Sequence, residues 1–212
     1  DYGSAYSGTK LIFTSSRDTG SFAQKKHKWT NQYFTNMYSA ETTPEGTLDT
    51  PEKFAKNVNS KFHEATPVFT KDGNNMYFTR NNFNDGKKGK DGNKITLLKI
   101  YKATLIDNRW QKATELSFNS DTYSTAHPML SPDEKTLYFA SDMPGTKGQS
   151  DLWKVSINGD GSFGTPVNLG DAINTEGKET FPLVTDENEL YFASDGHPGL
   201  GGLDIFMARM NA

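Results

Sequence analysis

A chain of 212 residues with a formal net charge of −3 has room for one mid-sized domain or two small ones, and its near-neutral balance argues against a nucleic-acid binder. With no cysteine, disulfide scaffolds, thiolate zinc sites, Cys nucleophiles and a lipid-bearing Cys are excluded within this segment. Leu, Ile, Val and Phe make up only about 19% of it, yet aromatics at 12% and the small net charge point to a folded chain rather than a disordered one.

No apolar run approaches a membrane span or a signal-peptide core. The chain begins at Asp1, which reads as a processed product or an excised piece. In chain order, the first apolar run is LIFTSS (Leu11–Ser16), then NMYSAE (Asn36–Glu41), then a bulky pair six apart, Leu48 and Phe54. The second unit opens with TPVFTKDGN (Thr66–Asn74) and continues with MYFTRN (Met76–Asn81), KIYKAT (Lys99–Thr104) and the pair Trp110 and Leu116. The third repeats the order with HPMLSPDEK (His127–Lys135), LYFASD (Leu137–Asp142), DLWKVS (Asp151–Ser156) and Phe163 with Leu169. The fourth has FPLVTDENE (Phe181–Glu189), LYFASD (Leu190–Asp195) and DIFMAR (Asp204–Arg209). Phe13, Phe78, Phe139 and Phe192 mark the period, at intervals of 65, 61 and 53 residues.

Each element reads as a short strand, rich in Tyr, Phe, Val and Leu and bounded by Gly, Asp, Asn and Pro. Lys71-Asp72-Gly73 and Ser131-Pro132-Asp133-Glu134 supply tight turns. No 3.6-residue apolar period persists long enough for a long helix. Four antiparallel strands recurring at this period predict an all-β fold, a β-propeller of four-stranded antiparallel blades. The blades fall at about 1–59, 60–120, 121–177 and 178–212. The fourth lacks its outermost strand, so the expectation is part of a larger propeller. Phe78, Phe139 and Phe192, with Tyr101, Trp153 and Phe206, are the expected inter-blade fillers.

SPDEKTLYFASD and the D-L-W and D-I-F tripeptides resemble the TolB-type, WD-like propeller repeat. The spacing Asn174-Thr175, Glu179, Pro182 and its copy Asn59-Ser60, Glu64, Pro67, together with SDGHPGLGGLD, resemble the propeller segment of Bacteroidetes OmpA-family envelope proteins, the PorE-like group. That resemblance covers nearly the whole chain. It implies a periplasmic, outer-membrane-associated protein linked to type IX secretion or gliding machinery. Its implied partners are envelope proteins, such as an outer-membrane β-barrel or a secretion component. Peptidoglycan would be bound only through domains outside this segment.

Two polar insertions, Asp18–Phe34 and Phe83–Thr96, occupy the same place in successive units and should project from one end. They carry Lys25, Lys26, Lys28 and Trp29, and Lys87, Lys88 and Lys90, a basic, aromatic-flanked candidate for partner contact; solvated loop tips are the alternative. Glu64 and Glu179 precede the innermost strands and are candidate channel-mouth acids, or else they bond backbone donors at strand entry. Asp142 with Asp151, and Asp195 with Asp204, are each nine apart; such residues more often cap turns than hold a cation. The His residues fall at unlike blade positions, and no G-x-S-x-G, H-E-x-x-H or phosphate-loop motif is present. The expectation is therefore a non-catalytic interaction propeller with no cofactor or metal. The alternatives are a small-ligand or peptidoglycan-fragment binder, or a glycan-acting propeller enzyme.

Overall fold

The structure, a computed structural model, describes residues 1–17, 33–55, 57–60, 63–84, 87–88 and 96–210, with backbone alone at 83, 84, 87 and 88. It is all-β, with antiparallel blades arranged as a propeller. Blade one is β1 (Tyr2–Ser7), β2 (Lys10–Ser15), β3 (Asn36–Glu41) and β4 (Glu52–Lys53). Blade two is β5 (Glu64–Phe69), β6 (Asn75–Asn81) and β9 (Leu98–Ile106), with β10 (Arg109–Trp110) and β11 (Thr114–Glu115) both paired to β9. Its insertion holds a two-stranded hairpin, β7 (Phe83–Asn84) and β8 (Lys87–Lys88). Blade three is β12 (Thr125–Leu130), β13 (Thr136–Ser141), β14 (Asp151–Ser156) and β15 (Val167–Asn168). Blade four has three strands among the described residues: β16 (Glu179–Val184), β17 (Glu189–Ser194) and β18 (Asp204–Arg209). No described helix is long and apolar enough to cross a membrane.

The turns from first to second strand share one conformation. Gly8, Gly73, Glu134 and Asn188 all have φ between 58° and 71°. Before it, Asp72 and Asp133 each accept bonds from the hydroxyl two residues back (Thr70, Ser131) and from the amide two residues on. This side chain imitates a backbone turn and pins the hairpin register.

Blade stacking makes the core. Met76, Phe78 and Tyr101 of blade two pack on Ile12 and Met37 of blade one. Leu137, Phe139 and Trp153 pack on Tyr77 and Ile100. Leu190 and Phe192 pack on Tyr138 and Leu152. The expected fillers are buried, apart from Phe206, which is only partly covered. Among the described residues, Tyr2 and Tyr6 of blade one and Leu183, Ile205 and Met207 of blade four are large apolar side chains left exposed.

The outermost strands are two residues long, shorter than the bulky pairs suggest, because a side chain does part of their work. The Asn59 amide accepts from the Met37 N–H (2.9 Å) and donates to the Met37 carbonyl (3.3 Å). Asn119 clasps Ile100 in the same way (3.2 and 2.7 Å), and Asn174 clasps Leu152 (2.8 and 3.0 Å). One primary amide thus bonds both backbone groups of one residue, whose carbonyl also accepts from the Phe54, Leu116 or Leu169 N–H.

Candidate functional site

All four innermost strands are interrupted at one equivalent place. Their pairing slips by one residue between Tyr2 and Ala5, Ala65 and Val68, Ala126 and Met129, and Thr180 and Leu183. Within each slip one residue is left-handed: Gly3 (φ 57°), Thr66 (47°), His127 (56°) and Phe181 (51°). A bulge of this kind sharpens the twist, which lets strands converge on an axis. Proline follows in three blades, tolerated because this edge has no further strand to receive an N–H. At Gly3 a Cβ would lie 2.8 Å from Thr66 Cγ2, so this blade needs glycine.

Hydroxyls stitch the bulges across blades. The Thr66 N–H donates to Thr14 Oγ1 (3.3 Å), and the His127 N–H donates to Thr79 Oγ1 (2.9 Å). The Thr66 and Thr79 hydroxyls are themselves 2.8 Å apart. Ala140 stands at the corresponding place in blade three, so Phe181 has no such hydroxyl behind it.

The four bulges line one axial cavity of about 280 Å³. Its walls are Gly3–Ala5, Thr66–Val68, His127–Met129 and Phe181–Leu183, a predominantly apolar set in which His127 is the titratable member. The His127 ring lies against Phe181, with centroids 3.9 Å apart. Its Nδ1 is buried and has no hydrogen-bond partner among the described residues. Burial pushes its pKa down to about 4, so the imidazole is neutral. Left-handed non-glycine residues cost about 1–3 kcal/mol each and gather at functional positions. Sequence reasoning missed this site because a residue before Pro reads as plain extended chain.

Glu64 and Glu179 stand at strand entry with 0% exposure. Neither presents an open carboxylate to solvent. Glu64 pairs with Arg80 at 3.0 Å, and burial raises its pKa to about 7. Arg80 in turn lies over the Phe78 and Tyr101 rings, at 5.0 and 4.9 Å. Blade one copies this arrangement: Arg17 sits over Phe13 and Tyr38 and pairs with Asp1. In blade three both charges are gone, with Thr125 for the acid and Met143 packed in the cluster of Phe139 and Trp153. In blade four His197 covers Phe192 and Phe206, and Glu179 accepts from Thr175, Ser194 and the Thr175 N–H.

Stability should therefore carry two opposed pH dependences. Glu64 binds its proton more tightly folded than unfolded, so its contribution is full below about pH 4.5 and lost as pH rises through 7. His127 behaves oppositely: its contribution is present above about pH 6.5 and lost as pH falls through 4. Between them the wild-type profile is expected to be nearly flat. His127→Asn, which tolerates the left-handed backbone, should expose the Glu64 slope, up to about 3 kcal/mol lost between pH 4.5 and 7. Urea titrations across that range would read it; a flat His127→Asn profile contradicts the assignment.

The paired aspartates bond backbone donors. Asp142 accepts from the Ser124 N–H, and Asp195 from the Lys178 N–H. Asp151 accepts from the Lys147 and Gly148 amides and from Asn168, and Asp204 from the Gly201 N–H. Adding calcium or a chelator is expected to leave the melting temperature unchanged. A calcium-dependent rise of several degrees would show a site these bonds do not reveal. Lys25, Lys26, Lys28, Trp29 and Lys90 lie outside the described residues, while Lys87 and Lys88 fall in β8.

No family model matches the chain, and no curated protein does. Solved structures do. TolB from Acinetobacter baumannii superposes with a TM-score of 0.51 at 16% identity, over 95% of this chain and 38% of its own length. A thermostable family-43 glycoside hydrolase gives 0.58 at 14% identity, over 99% of this chain and 70% of its own. A puromycin-hydrolysing peptidase of Mycobacterium tuberculosis gives 0.53 at 15% identity, over 97% of this chain and 29% of its own. The chain thus spans well under half of the TolB and peptidase chains. These likenesses establish a β-propeller with TolB-like fold neighbours. They also correct the expectation that the chain is not an enzyme: a hydrolytic peptidase and a glycoside hydrolase share this fold, so the architecture does not set catalysis aside.

Proposed function

We propose that this propeller is an interaction module of the cell envelope that seats part of a partner protein at its axial cavity. The observation that carries this reading is the convergence of four equivalent bulges on one apolar cavity, with the unpartnered His127 Nδ1 in its wall. A pocket of this kind, apolar with a single polar point of orientation, suits a side chain inserted from a partner. The TolB likeness in fold and the resemblance of the repeat to OmpA-family, PorE-like envelope proteins support a periplasmic, outer-membrane-associated location. Under the same reading the partner is an outer-membrane β-barrel or a component of type IX secretion or gliding machinery. Lys26, Lys28, Lys87 and Lys88 would add basic partner contacts that govern association rate.

A photo-crosslinking phenylalanine analogue at Phe181 tests the proposal. In an outer-membrane fraction it should give a saturable crosslink to one envelope protein, weakened by Lys26→Glu with Lys28→Glu. Absence of a saturable crosslink from position 181 would overturn the axial site. An unchanged yield in the charge-reversed variant would remove the basic contacts from the reading.

A further inference from the structure

The axial cavity shares two of its lining residues, Val68 and Met129, with a second cavity of about 360 Å³. This second cavity lies where the turns from first to second strand of blades two, three and four come together. Phe69, Leu130 and Val184 line it, along with four charged residues, Lys71, Glu134, Asp186 and Glu187. Blade three stands in the middle of its wall, with a blade on either side. Successive antiparallel strands reverse direction, so these turns lie at the end opposite the loop that bears β7 and β8.

Turn formation does not use up the acids. Asp72 and Asp133 cap their own hairpins, and the Glu134 carboxylate accepts from the Lys71 N–H of the neighbouring blade. Blade four departs from that pattern, because its turn is one residue shorter. Residues 185–189 separate Val184 from Leu190, whereas residues 131–136 separate Leu130 from Leu137. Glu187, two residues after Thr185, takes the place of the capping aspartate. Among the described residues neither the Glu187 nor the Asp186 carboxylate makes a hydrogen bond or ion pair, and both residues are exposed. Three carboxylates thus stand with one ammonium around this cavity, an excess that attracts a cation.

The bulge chamber supplies the other half of a binding path. Its wall is apolar, and the buried His127 Nδ1 there has no partner among the described residues. His127 and Ser131 are four positions apart along β12 and its turn, about 13 Å of extended chain. We infer that the axial channel takes an extended segment of the envelope partner, in which an apolar residue and a Lys or Arg stand about four positions apart. The apolar side chain lies against Phe181, and the cation reaches Asp186 and Glu187. This inference rests on the axial seat proposed above and adds the charge that its occupant carries.

The probes are two synthetic glycine-serine peptides that differ at one position. Each carries one phenylalanine and, about four residues from it, either lysine or glutamate. Both are titrated into the intact protein and followed by amide NMR shifts. The lysine peptide is expected to move the Phe181 and Glu187 amides and to bind at least about tenfold more tightly than the glutamate peptide. That preference should vanish at about 1 M salt and in the double variant Asp186→Asn, Glu187→Gln, a change confined to an exposed turn. Equal binding of the two peptides, with Phe181 still shifted, would overturn the inference and leave the axial seat standing. A lysine preference kept by the double variant, or shifts at Glu187 without Phe181, would also overturn it. So would calcium alone moving the Glu187 amide and erasing the preference, which would reassign the acids to a metal cation. If neither peptide moves the Phe181 amide at millimolar concentration, the seat itself fails and this inference with it.

Discussion

Replacing Phe139 by alanine is expected to destabilise the protein by about 3–5 kcal/mol. The side chain is wholly buried at the middle of the stack, its ring 4.8 Å from that of Phe118, with Leu137, Trp153 and Ile100 in the same cluster. Within the sheet Phe139 of β13 pairs directly with Trp153 of β14, which fixes its position. Little can relax into the space, so the cavity term adds to the lost transfer energy. Phe192 occupies the same position in blade four, where Phe206 beside it is only partly covered. Phe192→Ala should therefore cost less than Phe139→Ala. Urea unfolding of the two variants gives the comparison; a loss under about 1 kcal/mol at Phe139 would mean the strand register is wrong.

Arg80→Ala should cost about 3–5 kcal/mol, because it strands the Glu64 carboxylate in a buried site. Arg80 bonds Glu64 and the Val58 carbonyl and lies over two aromatic rings, so no single replacement restores its contacts. Blade three shows what the site accepts instead, a threonine at the acid and a methionine in the cluster of Phe139 and Trp153. The double variant Glu64→Thr, Arg80→Met should accordingly recover most of the loss, which a double-mutant cycle would report as strong coupling. The measurement belongs near pH 8, above the raised pKa of Glu64 of about 7, where the carboxylate is charged. Arg17, paired with the exposed Asp1, supplies the contrast. Its alanine variant should lose clearly less than Arg80→Ala, since it gives up ring contacts and a solvent-facing ion pair but leaves no buried carboxylate unpaired.

Blade order and strand identity were legible because four elements recur in one sequence order, and a repeat cannot be imitated by chance periodicity in a single strand. The phenylalanines declared themselves as inter-blade contacts for the same reason. The axial bulges were not legible. Gly3, Thr66, His127 and Phe181 share no side-chain chemistry, so what repeats there is a backbone angle. The aromatic caps were hidden likewise, since Arg17, Arg80, Met143 and His197 do one job with three chemistries. Asn59 and Asn174 were visible as a spacing but not as clasps, and Asn119 escaped because Thr125 stands six residues on, one further than the acids do. Glu64 and Glu179 drew notice as charges, whereas the fold uses them as internal bonding groups.

The asparagine clasp also bears on how this chain acquires its shape during synthesis. Each amide reaches back only 19 to 22 residues to the strand it secures, and it belongs to the linker that leads into the next blade. A ribosome therefore delivers the fastener of one sheet just before it delivers the first strand of the following one. Each sheet can be locked on emergence, and its exposed face is then offered at once to the neighbour still being made. Assembly in that order proceeds from the amino-terminal blade onward and keeps loop closure short at every step. Converting Asn119 to alanine would leave blade two open while blade three is being synthesised, so its mark should be a fall in the yield of folded protein from a coupled translation reaction larger than its effect on the purified protein.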